Sequence, residues 1–137
     1  MLTRLLRLLA NRSKRTFAHV QIVTSARPVT LKLEVADTRW QRALGLMGRT
    51  ALDDCDGMLF IYPNPRKVRL WMAHTPLALD AVFVNQDGCI GSIIHRLAPY
   101  SRHLVAAQTP ALWVLEIAGG QAAQLGLATG NQLHLLR

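Results

Sequence analysis

Side chains that could do chemistry are concentrated in residues 71–80, where an indole, a thioether, an imidazole, a hydroxyl and a carboxylate occur together. Apolar segments flank this stretch on both sides. Polar groups that enter an apolar core need partners, so we expect a site here. The predicted pocket takes up a small anionic or hydroxylated ligand and is formed by Arg42, Arg49, Trp71, His74, Thr75 and Asp80.

Two carboxylates fall inside segments that are otherwise apolar: Asp80 within residues 77–84 and Glu116 within residues 112–117. A lone buried carboxylate is costly, and a guanidinium group can bind one through two parallel hydrogen bonds. We therefore expect Arg42 or Arg49 to pair with these acids. The predicted buried charge network consists of Arg42, Asp80 and Glu116. It is either purely structural or leaves an arginine free for a ligand.

Acid–base catalysis is the alternative chemistry, with His74 working beside Asp80 or Glu116 in a hydrolase or transferase. The sequence marks no nucleophile to go with it. Cys55 lies in an acidic turn that would raise its pKa, and the serines have no nucleophile-elbow pattern. A non-catalytic accessory or binding protein is therefore the preferred interpretation, and whether the protein is an enzyme stays open.

Neither a metal nor a cofactor is expected. The five histidines share no ligand spacing, and the methionines fit the core of a small domain. The acidic turn at residues 53–57 lacks the spacing of a calcium loop. Nucleic acid is not an expected partner either, because no helix-turn-helix or ribonucleoprotein signature accompanies the net charge of +8.

The positive charge is concentrated at the start of the chain. Residues 1–17 carry five of the 16 basic side chains and no acid, with leucines on the opposite side of a helical projection. We predict a basic amphipathic extension over residues 1–17, followed by one globular domain over residues 18–137. The extension is either a helix that lies on an anionic membrane surface or a frayed tail, and an organellar transit peptide is a third interpretation if the source is eukaryotic. Arg7 and Arg12 make a poor secretory signal, so a cytoplasmic or peripheral membrane location is favoured. The oligomeric state stays open.

The rest of the chain has the pattern of a β-rich domain. Residues 29–36 alternate between apolar and polar, which predicts a half-buried antiparallel strand. Thr38 and Gln41 form a capping-box pattern that opens a helix over residues 38–46. Residues 96–110 resemble a lid or binding loop. Further strands are predicted at residues 19–24, 57–62, 66–72, 77–84, 89–95, 112–117 and 132–136, and a short helix at residues 119–125.

Three cations, Arg66, Lys67 and Arg69, fall in the predicted strand over residues 66–72. They could contact phosphate, or they could protect the edge of a sheet from pairing with another chain. We favour edge protection.

Several motifs match one family in order and spacing: Arg42-x-x-Gly45-Leu46-Met47-x-Arg49, Trp71-Met72-x-x-Thr75, Leu79-Asp80 and Leu115-Glu116-Ile117. Over roughly residues 29–136 the chain resembles the domain of unknown function 192 family, a group of small, mostly prokaryotic proteins. The resemblance implies a small, mostly β domain and no established activity. Many members carry export signals, so the resemblance also implies an alternative. In this alternative the chain is an envelope protein associated with the membrane surface, and its buried charge network is purely structural.

The chain departs from that family at three positions. His74 stands where an Asn is usual, Ala78 where a Pro is usual, and Asn131 where an Asp is usual. The first departure lies inside the predicted pocket.

Together these patterns predict an α+β fold, mostly antiparallel β, with a barrel-like curled sheet and one or two short helices.

Overall fold

The computed structural model describes residues 14–136, and the fold is organised around one large sheet. Within these residues there are nine strands and two short helices. In chain order they are β1 (Phe17–Val23), β2 (Pro28–Ala36), α1 (Arg39–Leu44), β3 (Gly57–Arg66), β4 (Arg69–Leu70), β5 (Leu79–Val84), β6 (Ile90–Leu97), β7 (Val105–Ala106), β8 (Ala111–Ala118), α2 (Gln121–Gln124) and β9 (Gln132–Leu136).

The large sheet has the order β6-β5-β8-β3-β2-β1-β9, and β4 pairs with β7 in a separate two-stranded ribbon. All pairs are antiparallel except β2 with β3. A parallel pair needs a crossover connection, and here the connection contains α1. The prediction of a mostly antiparallel α+β domain is confirmed, with one parallel pair making the sheet mixed.

The sheet curls until its two edge strands approach each other at one end. Cys89, just before β6, forms an isolated bridge with Gln132 of β9. The amide of Ile90 donates to the carbonyl of Asn131 at 2.9 Å, and the amide of Gly130 donates to that of Ile90 at 2.8 Å. Because this contact is a bridge rather than a ladder, the predicted curled sheet is confirmed but does not close into a barrel.

Each face of the sheet has its own apolar core, because successive side chains of a strand point to opposite faces. Leu59, Leu115 and Val82 are aligned across three strands on one face, where Ala122 of α2 joins them. The other face carries a second set that is covered by the residues after α1 and by the ribbon: Met58, Phe60, Ala81, Phe83 and Val114, with Leu46, Leu70 and Met72 above them.

α1 begins as predicted. The Thr38 hydroxyl accepts from the Gln41 amide at 3.1 Å, and the Gln41 side chain accepts from the Thr38 amide at 3.1 Å. The helix ends at Leu44, two residues earlier than expected, because Gly45 leaves the helical region with φ of +51°.

The region between β3 and β5 differs from expectation. β3 continues to Arg66 through two prolines, with a register shift between Ile61 and Arg66 that accommodates residues lacking an amide hydrogen. The strand predicted over residues 66–72 is reduced to β4, so the three cations do not protect a long edge strand. β4 pairs instead with β7, inside the segment predicted as a loop.

Residues 96–110 are fastened to the domain rather than standing over it as a lid. β6 extends to Leu97. The amide of Met72 donates to the carbonyl of Ser101 at 2.9 Å, and the amide of Tyr100 donates to the carbonyl of Thr75 at 3.0 Å. These backbone bonds hold the segment against the polar stretch 71–80.

Most of the predicted amphipathic extension, residues 1–13, lies outside the described residues. Its end does not follow the prediction: residues 14–16 are irregular, and Phe17 is the first residue of β1, paired with Glu34. Arg15 forms ion pairs with Glu34 and Asp54 and so belongs to the folded domain. No helix within residues 14–136 is long and apolar enough to span a membrane.

Candidate functional site

Asp80 and Glu116 lie on opposite faces of the sheet. In the β5–β8 ladder Asp80 is paired with Ile117, while Ala81 is paired with Glu116. A shift of one residue along a strand moves a side chain to the other face. The two acids therefore cannot share one polar network, and the predicted grouping of Asp80 with Glu116 is wrong.

Asp80 is held by backbone amides rather than by an arginine. Its side chain is completely buried, and its carboxylate accepts from the amides of Arg96 at 2.8 Å, Gly120 at 3.0 Å and Ala122 at 2.8 Å. Charge-assisted bonds of this kind compensate a buried carboxylate without a side-chain cation. Asp80 thus fixes β6 and the start of α2 to β5, on the face of the sheet opposite to Glu116.

Arg49 pairs with a different acid, Glu34 of β2. Its two terminal nitrogens donate to the two carboxylate oxygens at 2.7 Å each, and Arg15 adds a third bond at 2.5 Å. Burial alone would raise the pKa of Glu34, but the hydrogen bonds and charges of Arg49 and Arg15 outweigh burial and lower it. The sequence concealed this pair because Glu34 falls on the polar side of the alternation in β2.

Arg42 is bound by carbonyl groups. It donates to the carbonyl of Asp37 at 2.7 Å and to that of Ile61 at 3.0 Å, and its guanidinium carbon lies 5.2 Å from the centre of the Tyr62 ring. The predicted network of Arg42, Asp80 and Glu116 is therefore replaced by three separate arrangements.

His74 serves a turn. Its φ is +58°, a left-handed conformation in which Asn, Asp and His are enriched among residues other than glycine. Its carbonyl accepts from the amide of Gly48 at 2.7 Å. Both His74 and the Asn that the family resemblance implies suit this backbone, so the replacement is compatible with the turn. His74 does not line the cleft that contains Glu116.

The cleft beside Glu116 has a volume of about 200 Å³ and lies between the end of α1 and the β4–β7 ribbon. Three members of the predicted pocket line it: Arg42, Trp71 and Thr75. Trp71 is 47% exposed, whereas Thr75 is buried and donates its hydroxyl to the carbonyl of Ala73 at 3.2 Å. The other lining side chains with polar groups are Tyr62, Arg69 and Glu116. Arg49, His74 and Asp80 lie elsewhere.

Glu116 is the unusual group of this cleft. The residue is 6% exposed, and no hydrogen bond or ion pair joins its carboxyl to another described residue. Burial raises its pKa to about 7. A carboxyl group that lines a cleft, has a strongly raised pKa and has no described partner is a candidate for a binding or catalytic role.

Tyr62 and Arg69 were missed by sequence reasoning. The aromatic and basic residue types were visible, but β3 was expected to end at Tyr62 and Arg69 to protect a sheet edge. The extension of β3 and the pairing of β4 with β7 bring both residues into the lining of the cleft that contains Glu116.

The other reactive groups do not form a second centre within the described residues. No group of three His, Cys, Asp or Glu side chains there could hold a metal ion. Burial, foremost, together with the charges of Asp54 and Glu34, raises the pKa of the Cys55 thiol. Cys89 donates from Sγ to Oε1 of Gln132 at 3.0 Å, and the buried hydroxyl of Ser92 has no partner among the described residues.

Fold and cleft define a small α+β domain with one curled mixed sheet and a polar depression over one face. The DUF192 family, described as an uncharacterized ACR, matches residues 20–135, so the chain belongs to this family.

Two solved structures show the same fold. A candidate transcription regulator from Sinorhizobium meliloti 1021 is 32% identical, with a TM-score of 0.86 over 90% of this chain and 97% of that one. A protein of unknown function from Novosphingobium aromaticivorans DSM 12444 is also 32% identical, with a TM-score of 0.83 over 91% and 95% of the two chains. No curated protein matches.

Proposed function

We propose that this protein is a non-catalytic binding protein that takes up a small hydroxylated ligand in the Glu116 cleft. One observation carries the proposal: a buried carboxyl, with no partner among the described residues, faces a cleft that already contains exposed aromatic surface. A ligand that completes the hydrogen bonds of Glu116 would remove the cost of leaving this group unpaired.

The chemistry of Glu116 favours a hydroxyl as its partner. A carboxyl group with a pKa of about 7 is present in both protonation states near neutral pH. The ionised form accepts hydrogen bonds, and the neutral form also donates one. A hydroxyl group can donate and accept, so it satisfies either form, whereas an ammonium group suits only the carboxylate.

The aromatic residues of the cleft fit the same ligand class. Trp71 is about half exposed, and the half-buried Tyr62 also lines the cleft, where the charge of Glu116 acts on it. Ligand sites commonly combine aromatic walls with a few polar groups that fix orientation. A sugar or another polyol offers hydroxyls for Glu116 and C–H surface for the rings.

The enzymatic alternative has one observation in its favour. A pKa of about 7 suits a general acid or base. The partners that the sequence suggested do not accompany it, because His74 lies outside the cleft and the Asp80 carboxylate is fully bound by amides. We therefore prefer binding without catalysis.

A nucleic-acid function, which the description of the Sinorhizobium meliloti protein would suggest, is not our proposal. The described helices span six and four residues, too short to lie along a major groove as recognition helices do.

The test is a thermal-shift screen of monosaccharides and polyols against the wild type, Glu116→Leu and His74→Asn. Glu116→Leu keeps a similar volume but removes the polar atoms, and His74→Asn changes a residue outside the cleft. We expect at least one compound to stabilise the wild type and His74→Asn, by about 2.7 kcal/mol at 100 times its Kd, and not Glu116→Leu. If every compound that binds stabilises Glu116→Leu equally, or if none binds the wild type, the proposal is wrong.

A further inference from the structure

A second depression, of about 260 Å³, adjoins the Glu116 cleft and is lined by Tyr62, Arg66, Lys67, Val68 and Arg69. Tyr62 and Arg69 line both depressions, so the two are adjacent. Each depression alone is smaller than a typical small-molecule pocket of about 300–1,000 Å³, but their combined volume falls within that range.

The cations of this depression are free to bind an anion. Arg66, Lys67 and Arg69 are all exposed, and none forms an ion pair with a carboxylate of residues 14–136. The described ion pairs all use Arg15 or Arg49, and neither residue lines this depression. Three neighbouring cations without an acid create a positive local potential that attracts anions.

The backbone that carries these cations is fixed. The buried Val68 accepts at its carbonyl from the amide of Ala107 at 3.0 Å, and Arg69 is paired with Ala106 in the ribbon. The guanidinium carbon of Arg66 lies 5.2 Å from the centre of the Tyr62 ring. Side chains on a fixed backbone lose less freedom when a ligand binds, so the arrangement favours binding.

Tyr62 lines both the Glu116 cleft and the depression with the three cations. It contacts Arg66 and Arg42, and the negative charge of Glu116 also acts on it. A ligand lying across this ring would meet a carboxyl at one end and a group of cations at the other.

We infer that Arg66, Lys67 and Arg69 form an anion subsite adjoining the Glu116 cleft, so that the ligand is a hydroxylated molecule bearing a phosphate or carboxylate group. The hydroxylated part of this inference rests on the proposed function of the cleft. The anion subsite stands on the cations alone, and the two can be tested separately.

The first experiment titrates inorganic phosphate, and separately acetate, into isotopically labelled protein at constant ionic strength, with amide chemical shifts as the readout. Variants are Arg66→Gln with Arg69→Gln, and a control pair of equal net charge, Arg27→Gln with Arg39→Gln. We expect shifts at Tyr62, Val68 and Arg69 in the wild type and the control pair, with Kd at least about tenfold weaker in the subsite variant. No shift at 50 mM of either anion, or equal affinity in both variants, overturns the subsite. The anion that binds more tightly identifies the group.

The second experiment separates this inference from the proposed function. Phosphate binding should persist in Glu116→Leu, because the subsite does not need the carboxyl. Neutral and phosphorylated members of one pair, glycerol and glycerol 3-phosphate, are then compared. We expect the phosphorylated compound to bind at least about tenfold more tightly to the wild type and to lose this advantage in the subsite variant. Equal affinity for both compounds in the wild type would contradict the combined ligand class even where phosphate alone binds.

Discussion

Asp80 and Glu116 are close along the β5–β8 ladder but have opposite surroundings. Asp80 is enclosed by three amide donors, whereas Glu116 has no donor among the described residues and faces a cleft. The first is a structural carboxylate, and the second is the group on which the proposed function rests. Two predictions distinguish them.

Asp80→Ala should lower the free energy of unfolding by about 3 kcal/mol, because two buried amides and one partly buried amide each lose an acceptor. Urea denaturation checks this value. Asp87→Ala is the matched control, since Asp87 is exposed and its carboxylate forms no hydrogen bond to another described residue; it should change stability by less than about 0.5 kcal/mol. Similar stabilities of the two variants would show that the amide cage contributes little.

Glu116→Gln should remove a pH dependence of the free energy of unfolding. Glu116 titrates near pH 7 in the folded chain but near 4.5 when unfolded, so the folded chain holds an extra proton between these values. Stability from Glu116 is therefore fully present below about pH 4.5 and is lost as pH rises through 7, by about 3 kcal/mol. The wild type should lose stability relative to Glu116→Gln over this window, as measured by chemical denaturation from pH 4 to pH 8. A constant difference between the two proteins would mean that the carboxyl titrates normally.

At the scale of elements, the β3–β8 pair positions the cleft. Met58 and Ala81 flank Glu116 in register on the neighbouring strands, and Gly57 is paired with Ile117 one residue away. At Gly57 the strands approach so closely that a Cβ atom would lie 1.9 Å from the carbonyl oxygen of Glu116. The glycine therefore permits the pairing that holds Glu116 under the cleft.

Gly57→Ala should destabilise the protein by about 3 kcal/mol or more, since the clash is with backbone and no side chain can move to relieve it. Gly91→Ala is the comparison variant on the edge strand β6, where the nearest atom is the movable hydroxyl of Thr109 at 3.0 Å. It should cost less than about 1 kcal/mol. Urea denaturation of both variants gives the comparison, and equal losses would rule out the close approach as the cause.

At the scale of the whole molecule, the domain and its basic N-terminal segment raise different questions. The curled sheet with its two cores accounts for residues 17–136. Arg4, Arg7 and Arg12 lie outside the described residues, and their association with an anionic membrane stays a prediction from sequence, as does a cytoplasmic or peripheral location.

Replacing Arg4, Arg7 and Arg12 with Gln should weaken binding to vesicles that contain anionic phosphatidylserine. Each basic residue near such a surface contributes about 1 kcal/mol, so the triple variant should bind roughly 100-fold more weakly in co-sedimentation. A triple replacement of the exposed Arg27, Arg39 and Arg102 has the same net charge and is the control. If both variants bind as the wild type does, the membrane hypothesis is refuted.

The sequence by itself determined the class of fold, the family and most of the elements. Alternation predicted β2, the Thr38 and Gln41 pair predicted the start of α1, and the family motifs matched in order. These features depend on neighbours along the chain, since side-chain period and capping are local properties.

Only the tertiary structure decided which charges meet. The arginines and carboxylates in the sequence indicated ion pairs but not the partners. In the folded chain Arg49 pairs with Glu34, and backbone amides bind Asp80. Glu116 faces a cleft. Register also brought Tyr62 and Arg69 into the lining of the Glu116 cleft. The physical reason is that a shift of one residue in pairing reverses the face of every side chain, and composition carries no information about that shift.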